Sequence, residues 1–221
     1  MTDDRRSGGW LPPVPSAIVV LVILCVGIEA ILQIGDQGYF GIPRFRMVVY
    51  EYGGFWSGLL GNWLPNYALQ PWTMFLTYGF LHAGLLHLCL NMLTLVSLGL
   101  PVIARVGGLS FILLYWVSML GGGLGFALLS DSYRPMVGAS GALFGLAGAI
   151  LAWEYLDRRN LKVALWPVAR AVILLIGLNV ALYYAMDRLL AWEAHFGGFL
   201  LGWISALIIN PDDSADNPPK T

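Results

Sequence analysis

The residues of this sequence that could carry out chemistry include a serine flanked by small residues. Ser140 lies in the segment Gly138-Ala139-Ser140-Gly141, where the glycines would let a substrate backbone or a neighbouring helix approach closely. A helix predicted to begin there leaves backbone N–H groups unpaired, and such groups could stabilise a developing oxyanion. Ser140 is therefore a candidate nucleophile. In the alternative interpretation, its hydroxyl bonds its own helix and the glycines form a packing seam.

A histidine occupies a similar position at the start of another apolar segment. His195 follows Ala194, and Gly198 and Gly202 come after it, four residues apart from each other. Small residues at this spacing let two helices pack tightly, which a Ser–His hydrogen bond between helices would require. His195 is thus a candidate general base for Ser140. The alternative is an isolated histidine at the membrane interface.

A further polar pair precedes both of these motifs. His87 and Asn91 are four residues apart and share one face of a predicted helix. Both side chains can donate hydrogen bonds, so they could stabilise an oxyanion beside the Ser140 backbone N–H group. The alternative is a polar contact that joins two helices. His82 lies close by, so all three histidines of the chain are near the outer ends of predicted membrane spans.

Two other hydrolytic mechanisms lack the residues that they need. Zinc hydrolysis would require a motif such as HExxH, and no carboxylate follows His82 or His87 on its helical face. Aspartyl catalysis would require two facing carboxylates, yet Glu29 is the only acidic residue well inside a predicted span. We therefore predict no metal and no other cofactor. For Glu29 the alternatives are a neutral carboxyl group, a position near the outer interface, or pairing with another helix.

The composition indicates a membrane protein. Of the 221 residues, 58% are apolar and 11% are charged, against about 25% charged in an ordinary soluble domain. The net charge of −1 gives no indication of a nucleic-acid partner. The uncharged runs predict six spans, at 16–34, from about residue 83, and at 106–130, 135–153, 171–186 and 194–211. The stretch before the second span is rich in Trp, Gly, Pro and Asn, which predicts a loop half-immersed at the headgroup level.

The distribution of basic residues predicts the orientation of the spans. Eight Lys and Arg residues fall on the side of the two termini and four on the other side, so both termini should be cytoplasmic. Residues 1–14 and 211–221 are short and polar, which predicts disordered cytoplasmic tails on either side of a membrane domain at 15–210. We expect an integral multi-pass protein of a bacterial plasma membrane.

Taken together, the motifs resemble those of a known family. In chain order they are His87-xxx-Asn91, Gly138-Ala139-Ser140-Gly141 and Ala194-His195-xx-Gly198-xxx-Gly202, on the predicted second, fourth and sixth spans. This arrangement resembles the rhomboid intramembrane serine proteases over roughly residues 70–210. The resemblance implies an all-α membrane protein, a six-transmembrane-helix rhomboid-like bundle with a water-filled cavity open to the outside. One departure is the first outer loop, which lacks the Trp-Arg pair that many relatives carry.

The resemblance also implies a role for each candidate residue. Ser140 and His195 would form a catalytic dyad without a carboxylate, and the sequence offers no third member. His87, Asn91 and the Ser140 N–H group would form the oxyanion hole. Phe144, four residues after Ser140, would pack under the ring of His195.

The function that follows is hydrolysis of peptide bonds in or near the transmembrane helices of single-span membrane proteins within the lipid bilayer. His82 would have a structural role. The alternatives are a non-catalytic rhomboid-like protein that binds or escorts membrane helices, and a small transporter or scaffold. The first would be expected to lack Ser140 or His195, and both are present. A transporter would be expected to carry charged residues at the bilayer midplane.

Overall fold

The structure is a computed structural model that describes residues 14–209. The α-helices within that range are α1 (Ser16–Asp36), α2 (Phe45–Gly53), α3 (Gln70–Thr77), α4 (Leu85–Leu129), α5 (Ser140–Asn160), α6 (Trp166–Ala185) and α7 (Trp192–Ile208). Two short 3-10 turns, Ser57–Leu60 and Tyr78–Phe80, lie on either side of α3. The predicted tails at 1–14 and 211–221 lie outside the described residues, apart from residue 14.

Helix α4 has 45 residues, which is long enough for two spans. Gly107 interrupts α4 with φ 79° and ψ 169°, a backbone conformation that favours glycine. By length and composition, α1, α4 and α6 are able to cross a membrane. Helices α5 and α7 pack against each other and against α4 at the centre of the bundle. The predicted all-α membrane bundle is confirmed.

Helix α5 begins within the segment 138–141, where the sequence predicted a helix start, and its first residue is Ser140. The uncharged run starts earlier, at residue 135, but the residues before Ser140 are not helical. The preceding residues are extended because their backbone groups bond elsewhere. Met136 and Phe55 exchange two backbone hydrogen bonds of 2.9 Å, and the Gly138 N–H group donates to the Tyr78 carbonyl oxygen at 2.9 Å. These contacts place Ser140 at the first turn of α5.

Helix α7 approaches its neighbours closely because glycines line the contacts. A Cβ atom on Gly198 would overlap the carbonyl oxygen of Gly141, and one on Gly202 would overlap that of Gly145. The contact between α7 and α4 is built in the same way, from Gly121, Gly125 and Gly197. Such backbone-to-backbone packing is typical of small-residue interfaces in membranes. It holds the first turns of α5 and α7 side by side.

Helix α6 lies at the outside of the bundle. Val168 is its buried residue, whereas apolar side chains such as Ile173, Leu174 and Leu178 are exposed. An apolar exposed surface is expected of a helix that faces lipid. Helix α6 also makes far fewer contacts with the rest of the bundle than α5 and α7 do.

The buried carboxylate of Glu29 is paired with an arginine, which decides among the alternatives that the sequence left open. Arg46 of α2 donates two hydrogen bonds of 2.9 Å to the Glu29 oxygen atoms and one of 2.6 Å to Asp36. Arg46 and the Tyr50 hydroxyl also donate to the carbonyl oxygen of His82, at 2.8 and 2.6 Å. Burial alone would lower the pKa of Arg46, but its hydrogen bonds to Glu29, Tyr50 and Asp36 raise that pKa, so the guanidinium stays charged. This cluster joins α1, α2 and the loop before α4.

Replacing Arg46 with methionine is expected to lower the free energy of unfolding by about 1–3 kcal/mol, because Glu29 would stay buried without its charged partner. Adding Glu29→Gln should restore part of the loss, since a neutral amide costs less to bury than a carboxylate. Thermal unfolding in detergent measures both variants. Arg134→Met, at an exposed arginine, is the control and should unfold like the parent. An unchanged unfolding temperature in Arg46→Met would show that the ion pair does not stabilise the fold.

Candidate active site

The structure brings Ser140 and His195 into hydrogen-bonding contact. Ser140 is the first residue of α5, and His195 is the fourth residue of α7. His195 Nε2 lies 2.9 Å from Ser140 Oγ, and His195 is only 4% exposed. The close glycine contact between α5 and α7 makes this distance possible, because it aligns the N-terminal ends of the two helices. A serine hydroxyl can transfer a proton to an imidazole in this arrangement.

The ring of Phe144 stacks on the imidazole ring of His195. Its ring is nearly parallel to that of His195, with 4.0 Å between centroids and 8° between planes. Phe144 stands one helical turn after Ser140, so both side chains face the same part of α7. The stack limits rotation of the imidazole while its Nε2 atom contacts Ser140.

A third polar residue, which the sequence analysis did not find, contacts the other nitrogen of the imidazole. Asn179 of α6 places its Oδ1 atom 2.8 Å from His195 Nδ1. The sequence analysis found no third member beside Ser140 and His195; the side chain that contacts His195 here is an amide and not a carboxylate. A single amide in the apolar sequence of α6 was the available signal, since polar residues within spans are costly and usually have a partner.

His87 faces the loop that leads into Ser140. The Ala83 N–H group donates to His87 Nδ1 at 3.2 Å, so Nε2 carries the ring hydrogen and can act as a donor. Gly138 has φ 123°, and a Cβ atom there would lie only 2.7 Å from His87 Cε1. Glycine therefore allows both the backbone conformation and the approach of this loop to the histidine.

Asn91 and His82 both lie next to His87. The Asn91 side chain donates to the His87 carbonyl oxygen at 2.9 Å within α4, and its buried Oδ1 atom has no hydrogen-bond partner. Among residues 14–209, Asn91 makes no hydrogen bond to Ser140 or His195. The ring of His82 is fully buried and lies 5.3 Å from the His87 ring, between centroids. His82 thus packs behind His87, while its carbonyl oxygen anchors Arg46.

Within the described range, 14–209, no group of three or more His, Cys, Asp and Glu side chains is arranged to hold a metal ion. The same range contains no ion pair between His195 and a carboxylate. The chemistry available at this site is therefore that of a hydroxyl, an imidazole, an amide and the N–H groups around them.

Comparison with known proteins identifies the family. The Rhomboid domain family matches residues 69–211, well over half of the chain. This chain belongs to the rhomboid family. The resemblance inferred from the three motifs is thereby confirmed. The matched range of this rhomboid begins one residue before α3 and contains every site residue described above, whereas α1 and α2 precede it.

Relatives of this rhomboid occur in a plant and in a bacterium, among other organisms. RHOMBOID-like protein 5 of Arabidopsis thaliana is 38% identical over 144 residues, which cover 62% of this chain and 45% of the relative. RHOMBOID-like protein 2 of the same plant is 36% identical over 170 residues, covering 76% of this chain and 46% of the relative. Rhomboid protease GluP of Bacillus subtilis is 33% identical over 139 residues, covering 63% of this chain and 26% of the relative. The rhomboid described here spans less than half the length of each of these relatives.

A cavity of about 540 Å³ lies beside the Ser140–His195 pair of this rhomboid. Its walls come mainly from α6 and α7 and are mostly apolar or aromatic, including Val172, Leu175, Phe196 and Phe199. Asn179 and His195 are part of the same lining. The cavity explains why α6 contacts its neighbours so little at this level.

Proposed function

We propose that this rhomboid is an intramembrane serine endopeptidase that hydrolyses peptide bonds in or near the transmembrane helices of membrane-protein substrates. The observation that carries the proposal is the 2.9 Å contact between His195 Nε2 and Ser140 Oγ, two residues 55 positions apart on different helices. A bacterial relative is named as a rhomboid protease, which supports the same reaction.

In the proposed reaction, Ser140 Oγ attacks the carbonyl carbon of the peptide bond while its proton passes to His195 Nε2. The tetrahedral intermediate collapses as His195 donates that proton to the leaving nitrogen, which breaks the C–N bond. A water molecule then gives a proton to His195 and attacks the acyl ester. The ester C–O bond breaks as His195 returns that proton to Ser140 Oγ, which releases the acid product and restores the serine. No carboxylate is needed for the proton to move between these groups.

The negatively charged oxygen of the intermediate needs donors near Ser140. The Ser140 N–H group at the start of α5 is one, because the first N–H groups of a helix have no partner within it. His87 Nε2–H would be a second, beside Gly138 in the loop that leads into Ser140. Asn91 would be a third, through the N–H that it does not donate to its own helix.

We further infer that the substrates are single-span membrane proteins and that the site opens to the non-cytoplasmic side. The excess of Lys and Arg on the side of the termini supports cytoplasmic tails. A bacterial plasma membrane remains our prediction for the location.

The proposal is tested with a fluorophosphonate probe, which labels activated serines, and with cleavage of a model single-span substrate in liposomes. The purified parent should be labelled at Ser140, as mapped by peptide mass spectrometry, and should cut the substrate. Ser140→Ala should do neither, whereas Ser57→Ala, at another serine on the outer side, should do both. A folded parent that is neither labelled nor active would overturn the proposal and favour the helix-binding alternative.

Replacing His87 with alanine is expected to lower kcat for a single-span substrate about 10²-fold with little change in KM, because an oxyanion donor acts in the transition state. Asn91→Ala should lower kcat in the same way if its second N–H points at the oxyanion. Steady-state kinetics in detergent separates the two parameters. A rise in KM with an unchanged kcat would place either residue in substrate binding and contradict its assignment to the oxyanion hole.

A further inference from the structure

The two nitrogen atoms of His195 face different partners, and a general base requires one particular tautomer. Nε2 must carry a lone pair to accept the proton of Ser140, so the ring hydrogen must be on Nδ1. Nδ1 lies 2.8 Å from Asn179 Oδ1, and Nε2 lies 2.9 Å from Ser140 Oγ. With the hydrogen on Nδ1, both contacts are hydrogen bonds. With the hydrogen on Nε2, two lone pairs would face each other at the Asn179 contact.

Asn179 also stabilises the state that forms when His195 has taken the proton. An imidazolium carries hydrogens on both nitrogens, and the amide oxygen accepts the one on Nδ1. A third group that orients the base recurs in unrelated hydrolases, where it is a carboxylate or an amide. Among residues 14–209 no carboxylate pairs with His195. The Asn179 amide is therefore the group that can accept the Nδ1 hydrogen of His195.

The location of Asn179 argues against a purely structural role. Helix α6 has Val168 as its buried residue, and Asn179 lies beside a cavity of about 540 Å³. An amide in the middle of an apolar span is costly unless it gains a hydrogen bond. Among residues 14–209, the hydrogen bond recorded for the Asn179 side chain is the one to His195, so its amide is placed to orient that ring.

We propose that Asn179 is a positioning residue that holds His195 in the Nδ1–H tautomer, so that the site is a Ser140–His195–Asn179 triad. This inference rests on the proposed function, because it assigns Asn179 a part in the proton transfer from Ser140. Asn179 does not touch the substrate; it acts through His195.

Three variants test this assignment. Asn179→Leu removes the acceptor at nearly constant volume, and Asn179→Asp keeps an oxygen acceptor but cannot offer an N–H. Leu175→Ala changes the wall of the same cavity without touching a nitrogen of His195. We expect Asn179→Leu to lower both kcat and the rate of fluorophosphonate labelling about 10²-fold, with KM changed less than about twofold. Asn179→Asp should stay within about tenfold of the parent, and Leu175→Ala within about twofold.

A second measurement reports the tautomer itself. The chain contains only three histidines, so ¹⁵N-histidine NMR of the detergent-solubilised protein gives few signals, and His195→Gln identifies those of His195. The parent should show the Nδ1–H tautomer at His195, and Asn179→Leu should show a population with the hydrogen on Nε2. Thermal unfolding confirms that each variant is folded.

Several results would overturn the inference. Asn179→Leu could be labelled at the parental rate, or it could lose activity with an unchanged tautomer, as expected of a structural residue. A folded Asn179→Asp as inactive as Asn179→Leu would show that the acceptor is not what matters. A parent that is never labelled at Ser140 would instead refute the proposed function, and the tautomer measurement would still report on the contact between Asn179 and His195.

Discussion

Replacing His195 with alanine is expected to lower the rate of acyl-enzyme formation at least about 10³-fold, which is the largest effect we predict for a residue other than Ser140. Without the imidazole, the Ser140 hydroxyl has no group within 2.9 Å that accepts its proton. The hydroxyl also stays a weak nucleophile at its ordinary pKa. The oxyanion donors around Ser140 remain, so a small residual rate should persist.

Single-turnover labelling with a fluorophosphonate measures this effect without the step of substrate docking. His195→Gln is the matched variant, because it keeps a polar side chain of similar size but no general base. Phe144→Leu, which removes the ring stacked on His195, should lower the rate by only about tenfold, since the base is still present. Labelling of His195→Ala at a rate near that of the parent would mean that another group activates Ser140.

Replacing Gly202 with leucine is expected to prevent folding, which makes it the second of the two largest effects. A Cβ atom at this position would already overlap the backbone of Gly145, so α7 would have to move away from α5. Overpacking usually costs about 1–3 kcal/mol, but here the obstacle is backbone that cannot rotate away. We expect a loss of at least about 4 kcal/mol, which would unfold a domain at the lower end of the ordinary stability range of about 5–15 kcal/mol.

The matched control is Gly177→Leu on α6. No heavy atom lies within 4 Å of a Cβ atom built at Gly177, so the same substitution meets open space there. Size-exclusion chromatography and thermal unfolding in detergent should therefore distinguish the two variants. Recovery of Gly202→Leu with the unfolding temperature of Gly177→Leu would show that the α5–α7 contact tolerates separation. Retained labelling at Ser140 in that variant would also contradict the role of the contact in aligning the site.

The sequence predicts some features of the fold but not others. The spans could be predicted because a membrane segment is long and apolar, and charged residues mark its ends. The start of α5 could be predicted from the glycines around Ser140, but the sequence did not show what keeps residues 135–139 out of the helix. Only backbone hydrogen bonds from Met136 and Gly138 to distant residues keep that part extended.

Some residues of the candidate site could be predicted from the sequence, and others could not. Ser140, His195 and Phe144 lie in recognisable motifs, and the structure brings their side chains together. Asn179 lies in no motif, because one amide in an apolar helix does not indicate which residue it contacts. The partner of Glu29 was hidden for a similar reason. Arg46 lies 17 residues away in a different helix, and only the packing of α2 against α1 brings the two charges together.

The sequence by itself indicated a membrane protein with several apolar helices, the family and the candidate nucleophile and base. Each of these depends on composition or on residue types at short spacing, both of which are local properties of the chain. The tertiary structure alone decided the 2.9 Å distance between Ser140 and His195, the third residue at Asn179 and the ion pair of Glu29. These depend on how closely helices approach one another. Facing glycines set that approach between α5 and α7, and a backbone contact of this kind involves residues that are far apart in sequence.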